Sequence, residues 1–155
     1  MNQQTLLNAE AALIQDETDI IANLANLSAL LNQYFERINW VGFYLYKEEQ
    51  LILGPFQGNP ACLRIPLTKG VCGLSATTKT MQNIKDVHQF PGHIACDEAS
   101  RSEIVFPILI KGELFGVLDI DAPIPNRFTI DDEKVLFSFI TILKKHLEKN
   151  FISEV

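Results

Sequence analysis

The stretch from Glu103 to Ala122, "EIVFPILIKGELFGVLDIDA", decides the fold. Two apolar runs flank Lys111-Gly112, which reads as an antiparallel hairpin. Upstream, "INWVGFYLY" (38–46) is rich in aromatic and β-branched residues and reads as a strand. The polar "KEEQ" turns the chain, and "LILGPF" (51–56) pairs back. Between Gly54 and Gly73, Pro55, Gly58, Pro60, Pro66 and Gly70 punctuate what reads as a loop. "GVCGLSATTKT" has room for a short helix. Ile20, Leu24, Leu27, Leu31 and Tyr34 recur at helical spacing behind the possible caps Asp16, Thr18 and Asp19. After Thr129, Leu136, Phe139, Ile140, Leu143 and Leu147 share the face of a C-terminal helix. The order α-β-β-loop-β-β-α implies an α+β class, a central antiparallel sheet flanked by N- and C-terminal helices.

The chain has 155 residues, which argues for a single domain over 1–155. A chain of this size buries roughly 70% of its unfolded surface, enough for its own core. A formal net charge of −6 argues against nucleic acid or an anionic membrane surface as partner. The apolar runs are too short to span a bilayer, and "MNQQTLLNAEAALIQDETD" lacks the basic region of a secretory signal. A cytoplasmic location is the expectation. Three irregularly spaced cysteines, Cys62, Cys72 and Cys96, make a poor secreted disulfide framework. In a reducing compartment, a disulfide among them is more often functional than structural.

The chemistry concentrates in "FPGHIACDEASRSEIVFP" (90–107) and in the hairpin that follows. Cys96 lies in a polar segment between His93 and Arg101, and a positive neighbour raises the thiolate fraction. Asp97 and Glu98 act in the opposite sense. Cys96 is therefore a candidate nucleophile, and Cys62, in the Gly/Pro-rich "GNPAC", a candidate resolving thiol mobile enough to reach it. Cys72, in "GVCGL", reads as a small buried hydrophobe. Asp119 and Asp121 are two apart on a strand and share a face. A hairpin turning through three residues, Lys111 to Glu113, sets Glu103 opposite Asp121. Three acids in register suit a cationic ligand or a shared proton, the alternative being solvated strand ends. Trp40, Tyr44 and Tyr46 also share a strand face, either as core packing or as a pocket wall. There is no CxxC pairing, HExxH, GxGxxG or P-loop, so neither a metal nor a nucleotide cofactor is expected.

These segments resemble the free methionine-(R)-sulfoxide reductases, small GAF proteins. "NWVGFYLY", "LGPFQGNPAC", "IPLTKGVCG", "FPGHIACDEASRSEIVFP" and "GVLDIDAP…RF" carry the likeness over most of the chain. The resemblance implies a GAF-like sheet with a pocket under long loops, and a homodimer. It implies Cys96 as catalytic thiol, Cys62 as its resolving partner and Cys72 as a third, secondary cysteine. It makes Glu103, Asp119 and Asp121 pocket acids, and Trp40 and Tyr44 pocket aromatics. The implied reaction reduces free methionine (R)-sulfoxide through a Cys96 sulfenic acid and a disulfide, which thioredoxin or a similar dithiol protein then reduces. Ala122 departs from the pattern, where a Ser is expected. A non-catalytic ligand-binding or redox-sensing GAF module is the alternative, and a Cys72–Cys96 disulfide remains an alternative pairing.

Overall fold

The structure, a computed structural model, describes residues 1–93 and 96–151. Six antiparallel strands form one sheet in the order β3-β2-β1-β6-β5-β4. They are β1 (Trp40–Lys47), β2 (Gln50–Gly58), β3 (Arg64–Pro66), β4 (Gln82–Ile84), β5 (Ser102–Ile110) and β6 (Glu113–Ala122). The helices are α1 (Gln3–Ile14), α2 (Ile20–Tyr34), α3 (Gly70–Thr78) and α4 (Ile130–Phe151), with one short 3-10 turn at Val87–Gln89. The α+β class and the flanking helices are as expected. Among the described residues, no helix is long and apolar enough to cross a membrane.

Strand alternation divides the molecule into two faces. Val41, Phe43 and Leu45 of β1, Ile104, Phe106 and Ile108 of β5, and Leu118 and Ile120 of β6 point to the helical side. There they pack with Leu24, Leu27 and Leu31 of α2 and Phe139 and Leu143 of α4. Trp40, Tyr44, Val105 and Val117 point the other way, onto Val71, Cys72 and Ala76 of α3. The second face carries fewer apolar side chains, and the acids of β5 and β6 lie on it.

The β5–β6 register is the expected one, with Glu103 opposite Asp121, but by a different route. The turn has two residues, not three. Ile110 pairs with Glu113, and Lys111 and Gly112 both take positive φ, at 52° and 81°. That is the geometry a tight hairpin of this twist requires, and Gly112 adopts it without strain. An irregularity between Ile108 and Leu109 then absorbs one residue of β6 and restores the register.

The segment from Gly54 to Gly73 is not the open loop its prolines suggested. β2 continues to Gly58, with Gly54 and Pro55 in a bulge opposite Phe43, where a proline costs no ladder hydrogen bond. Short β3 then pairs with β2, and α3 begins at Gly70.

α1 was not legible as a helix. Asn2 caps it, its side chain accepting from Thr5 N, and Leu6, Glu10 and Ile14 form the buried row. An acid in the middle of that row breaks the apolar pattern. Glu10 is 0% exposed, and neither carboxyl oxygen has a hydrogen-bond partner. Burial pushes its pKa up to about 9, so it sits there neutral at pH 7. α4 opens on a reciprocal cap: Asp132 N donates to Thr129 Oγ1 at 3.2 Å, and Thr129 N donates to Asp132 Oδ2 at 2.9 Å.

Candidate active site

The site lies on the α3 side of the sheet, where β1, β5 and β6 meet His93, Cys96, Asp97 and Ser100. Glu103 lies near the start of β5, Asp119 and Asp121 near the end of β6, and alternation turns all three acids to this face. Trp40 stands opposite Asp121 and Gly42 opposite Asp119 in the neighbouring β1. Glu103 and Asp119 are only 6% and 5% exposed, so they are not solvated strand ends. A cavity of about 30 Å³ reaches these acids together with Trp40, Tyr44, Cys72 and Cys96.

Crowding and burial act together on the acids. Desolvation raises Glu103 well above the ordinary carboxyl range, and the charges of Asp119 and Asp121 push it further. Desolvation likewise raises Asp121, with Asp119 adding to it. Burial raises Asp119 too, but polar contacts with Glu103, Cys72 and Asp121 act in the opposite direction. Burial and mutual repulsion therefore favour the protonated forms, most strongly at Glu103 and Asp121. One oxygen each of Asp119 and Asp121 is buried without a partner. Cys72, Glu103 and Asp119 also offer donor atoms within 4.8 Å of one another, a spacing that a cation can bridge.

The two loop cysteines are joined. Cys62 and Cys96 form a disulfide with Cα atoms 5.3 Å apart, inside the usual range for such bridges. Cys72 stays free and buried, its Sγ donating to Glu103 Oε2 at 3.9 Å. Burial and then the charge of Asp119 hold its thiol well above the ordinary value. It packs in the apolar cluster as expected, but against carboxylates as well, and such a thiol is a poor nucleophile.

The aromatics do more than line the wall. Trp40 stacks on Tyr44 and on Phe56, with ring centroids 5.8 and 5.2 Å away. Its indole N–H donates to Asn59 O at 3.2 Å, and the Tyr44 hydroxyl donates to Cys62 O at 2.9 Å. Burial, followed by the charge of Asp119, raises the Tyr44 phenol, so it remains a donor. The Cys62 loop is thus held by two side chains and by the Leu53 N–H on Leu63 O, where mobility had been expected. Tyr46 is exposed and takes no part.

The expected cationic help for Cys96 is weaker than its neighbours suggested. Arg101 turns to Asp86, 3.8 Å away. His93 does reach the site, with Nε2 3.9 Å from Glu103 Oε1, but burial lowers its pKa. Ile94 and Ala95, between His93 and Cys96, lie outside the described residues.

The GAF domain family model matches residues 5–143. The free methionine-R-sulfoxide reductase of Escherichia coli is 52% identical over 136 residues, 88% of this chain and 82% of that protein. The chain belongs to the free methionine-R-sulfoxide reductase family. The X-ray structure of the Neisseria meningitidis family member, solved in complex with its substrate, is 41% identical and superposes with a TM-score of 0.91, covering 96% of this chain and 89% of that one. A substrate complex of the Staphylococcus aureus protein fRMsr is 52% identical with a TM-score of 0.90, over 94% and 95% of the two chains.

Within this free methionine-R-sulfoxide reductase fold, residue-by-residue reading missed part of the wall. Gly70 and Val71 at the start of α3 line the cavity, as do Asp97 and Ser100. α3 starts without a side-chain cap on its first N–H groups. Gly73 lets it sit close to the chain before it, since a Cβ there would lie 2.8 Å from Leu67 O. Gly70 was the available signal, but it read as punctuation.

Proposed function

We propose that this protein reduces free methionine (R)-sulfoxide to methionine, with Cys96 as nucleophile and Cys62 as resolving thiol. The observation that carries this is the Cys62–Cys96 disulfide beside a buried, proton-holding trio of acids. The Cys96 thiolate attacks the sulfoxide sulfur, and the oxygen passes to Cys96 as it takes up a proton. Methionine leaves and Cys96 is a sulfenic acid. Glu103 is the proton donor in this reading, because burial and both neighbouring charges all favour its neutral form. The Cys62 thiolate then attacks the Cys96 sulfur, water leaves, and the disulfide forms. A dithiol protein of the thioredoxin type reduces it by exchange. Net, one sulfoxide and two thiols give one thioether, one disulfide and one water.

Substrate recognition follows from charge. The ionised member of the acid cluster pairs with the substrate ammonium. The uncapped N-terminus of α3 faces the same cavity and suits the substrate carboxylate. With the disulfide closed, a cavity of about 30 Å³ remains at the acids, room for a water or two. The disulfide form has no Cys96 thiolate to offer, so reduction has to precede the next turnover. A homodimer, which the family resemblance implies, belongs to this reading and is checked by sedimentation.

The test uses both sulfoxide epimers, free and within a short peptide, with dithiothreitol as reductant and chromatographic detection of methionine. The free R epimer alone should turn over. An acylated amine loses its charge and leaves a buried acid unpaired, a penalty that supports large discrimination. Equal rates on free and peptide-bound substrate would defeat the reading.

A further inference from the structure

Asn39 lines no part of the cavity, yet it grips the segment that carries Cys96. Its Nδ2 donates to Asp97 Oδ2 at 3.0 Å and to Ser100 Oγ at 3.1 Å. Those two residues are the ends of a tight turn. Ser100 N donates to Asp97 O at 3.1 Å, and Ala99 N donates to Asp97 Oδ1 at 2.9 Å. The turn starts one residue after the thiol. Asn39 is itself held by the sheet, its backbone N–H donating to Asp121 O at 2.9 Å beside the acid cluster. One residue thus bridges the strand that carries Asp121 and the loop that carries Cys96. Only one orientation of the amide sets a donor against the Asp97 carboxylate, and in that orientation Asn39 Oδ1 is buried without a partner. Leaving a buried acceptor unsatisfied is costly, and the bonds to Asp97 and Ser100 have to offset that cost.

We propose that Asn39 is a positioning residue for Cys96: by holding the Asp97–Ser100 turn against β1 and β6, it sets the thiol in register with the acid cluster. The proposal rests on the reductase reading above. Asn39 touches neither substrate nor reacting sulfur and acts through Asp97 and Ser100. A misplacement of about 1 Å at a reacting group costs up to 10²-fold in rate, which sets the expected effect. The step it governs is attack by Cys96 on the sulfoxide, so the loss falls on kcat more than on KM.

The experiment is a reciprocal exchange across the contact, read as methionine released in the first turnover by pre-reduced protein. Asn39→Asp sets two carboxylates against each other at the present 3.0 Å contact and should slow the first turnover about 10²-fold. Adding Asp97→Asn to it restores a donor and an acceptor with the roles reversed, and should recover most of that loss. Asp97→Asn alone reports what the lost charge costs. Asp97→Ala approaches the same contact from the loop, where truncation does not threaten the sheet. It should slow the first turnover as Asn39→Ala does, and combining the two should cost no more than either alone. A first-turnover rate for Asn39→Ala within threefold of the parent overturns the proposal. So does an exchange variant no faster than Asn39→Asp. Absence of turnover in the parent protein would defeat the reductase reading instead, and the two failures are distinct.

Discussion

The proposed pairing of Cys62 with Cys96 has a measurable consequence for stability. The bridge closes a loop of 34 residues. In the chain-entropy model, a cross-link of that span removes freedom from the unfolded chain worth about 4 kcal/mol. Native contacts do not cancel this. The Tyr44 bond to Cys62 and the Asn39 bond to Asp97 hold the folded loops in place, whereas the entropy is lost from the unfolded state. For a chain of about 150 residues, each kcal/mol moves the unfolding midpoint by about 2–4 °C. The oxidised protein should therefore melt about 8–16 °C above the reduced protein. The assay is thermal unfolding by circular dichroism, with and without dithiothreitol. Cys62→Ser should abolish the difference, and Cys72→Ser should preserve it. Equal midpoints in the parent protein would refute the reasoning. A difference that survives Cys62→Ser and disappears with Cys72→Ser would reassign the bridge to Cys72.

Three other expectations follow from the same structure. Glu103→Gln keeps the shape and removes the acidic proton, so kcat should fall by about 10²–10⁴; the parent should lose activity as pH rises through the raised Glu103 pKa, and near-normal kinetics with an unchanged profile would remove Glu103 from the acid role. Glu10, raised from 4.5 to about 9 in the fold, loses its proton only in the unfolded chain between those values, so stability should fall as pH rises through that window. From pH 5 to pH 8 this one group should cost on the order of 4 kcal/mol, and urea unfolding of Glu10→Gln should lack that slope; identical slopes would show that Glu10 is ionised in the fold. Tyr44→Phe removes the donor to Cys62 O and should slow disulfide closure while leaving the first methionine release unchanged; quench-flow with thiol counting separates the two steps.

Much of this fold was legible because the sheet obeys a period of two. The β5–β6 hairpin announced itself in its apolar runs, and Asp119 and Asp121 could be set on one face without coordinates. Even the Glu103–Asp121 register was reached from the sequence, although the two-residue turn and its compensating bulge were not. Bulges depend on cross-strand geometry that one strand's pattern does not carry. α1 was missed because the acid at Glu10 occupies a core position, and only tertiary burial makes it neutral there. The prolines between Gly54 and Gly73 were read as loop, whereas Pro55 lies in a bulge and Pro66 at the end of an edge strand. At the site, the chemistry-bearing residue types stood out, and Cys96, Cys72, the acids, Trp40 and Tyr44 do meet at one cavity. Arg101 misled, since sequence adjacency to Cys96 does not say which way its side chain turns. The holding bonds of Asn39, Trp40 and Tyr44 were invisible, because each joins segments distant in sequence.

The central claim is that Cys96 performs the chemistry and that Cys62 acts only afterwards. The most direct measurement is a single turnover of reduced Cys62→Ser with free methionine (R)-sulfoxide, followed by trapping of sulfenic acid and mass mapping of the labelled peptide. One methionine per chain, a stall, and the label on Cys96 are the expected result. No methionine at all, or a label on Cys72, would contradict it.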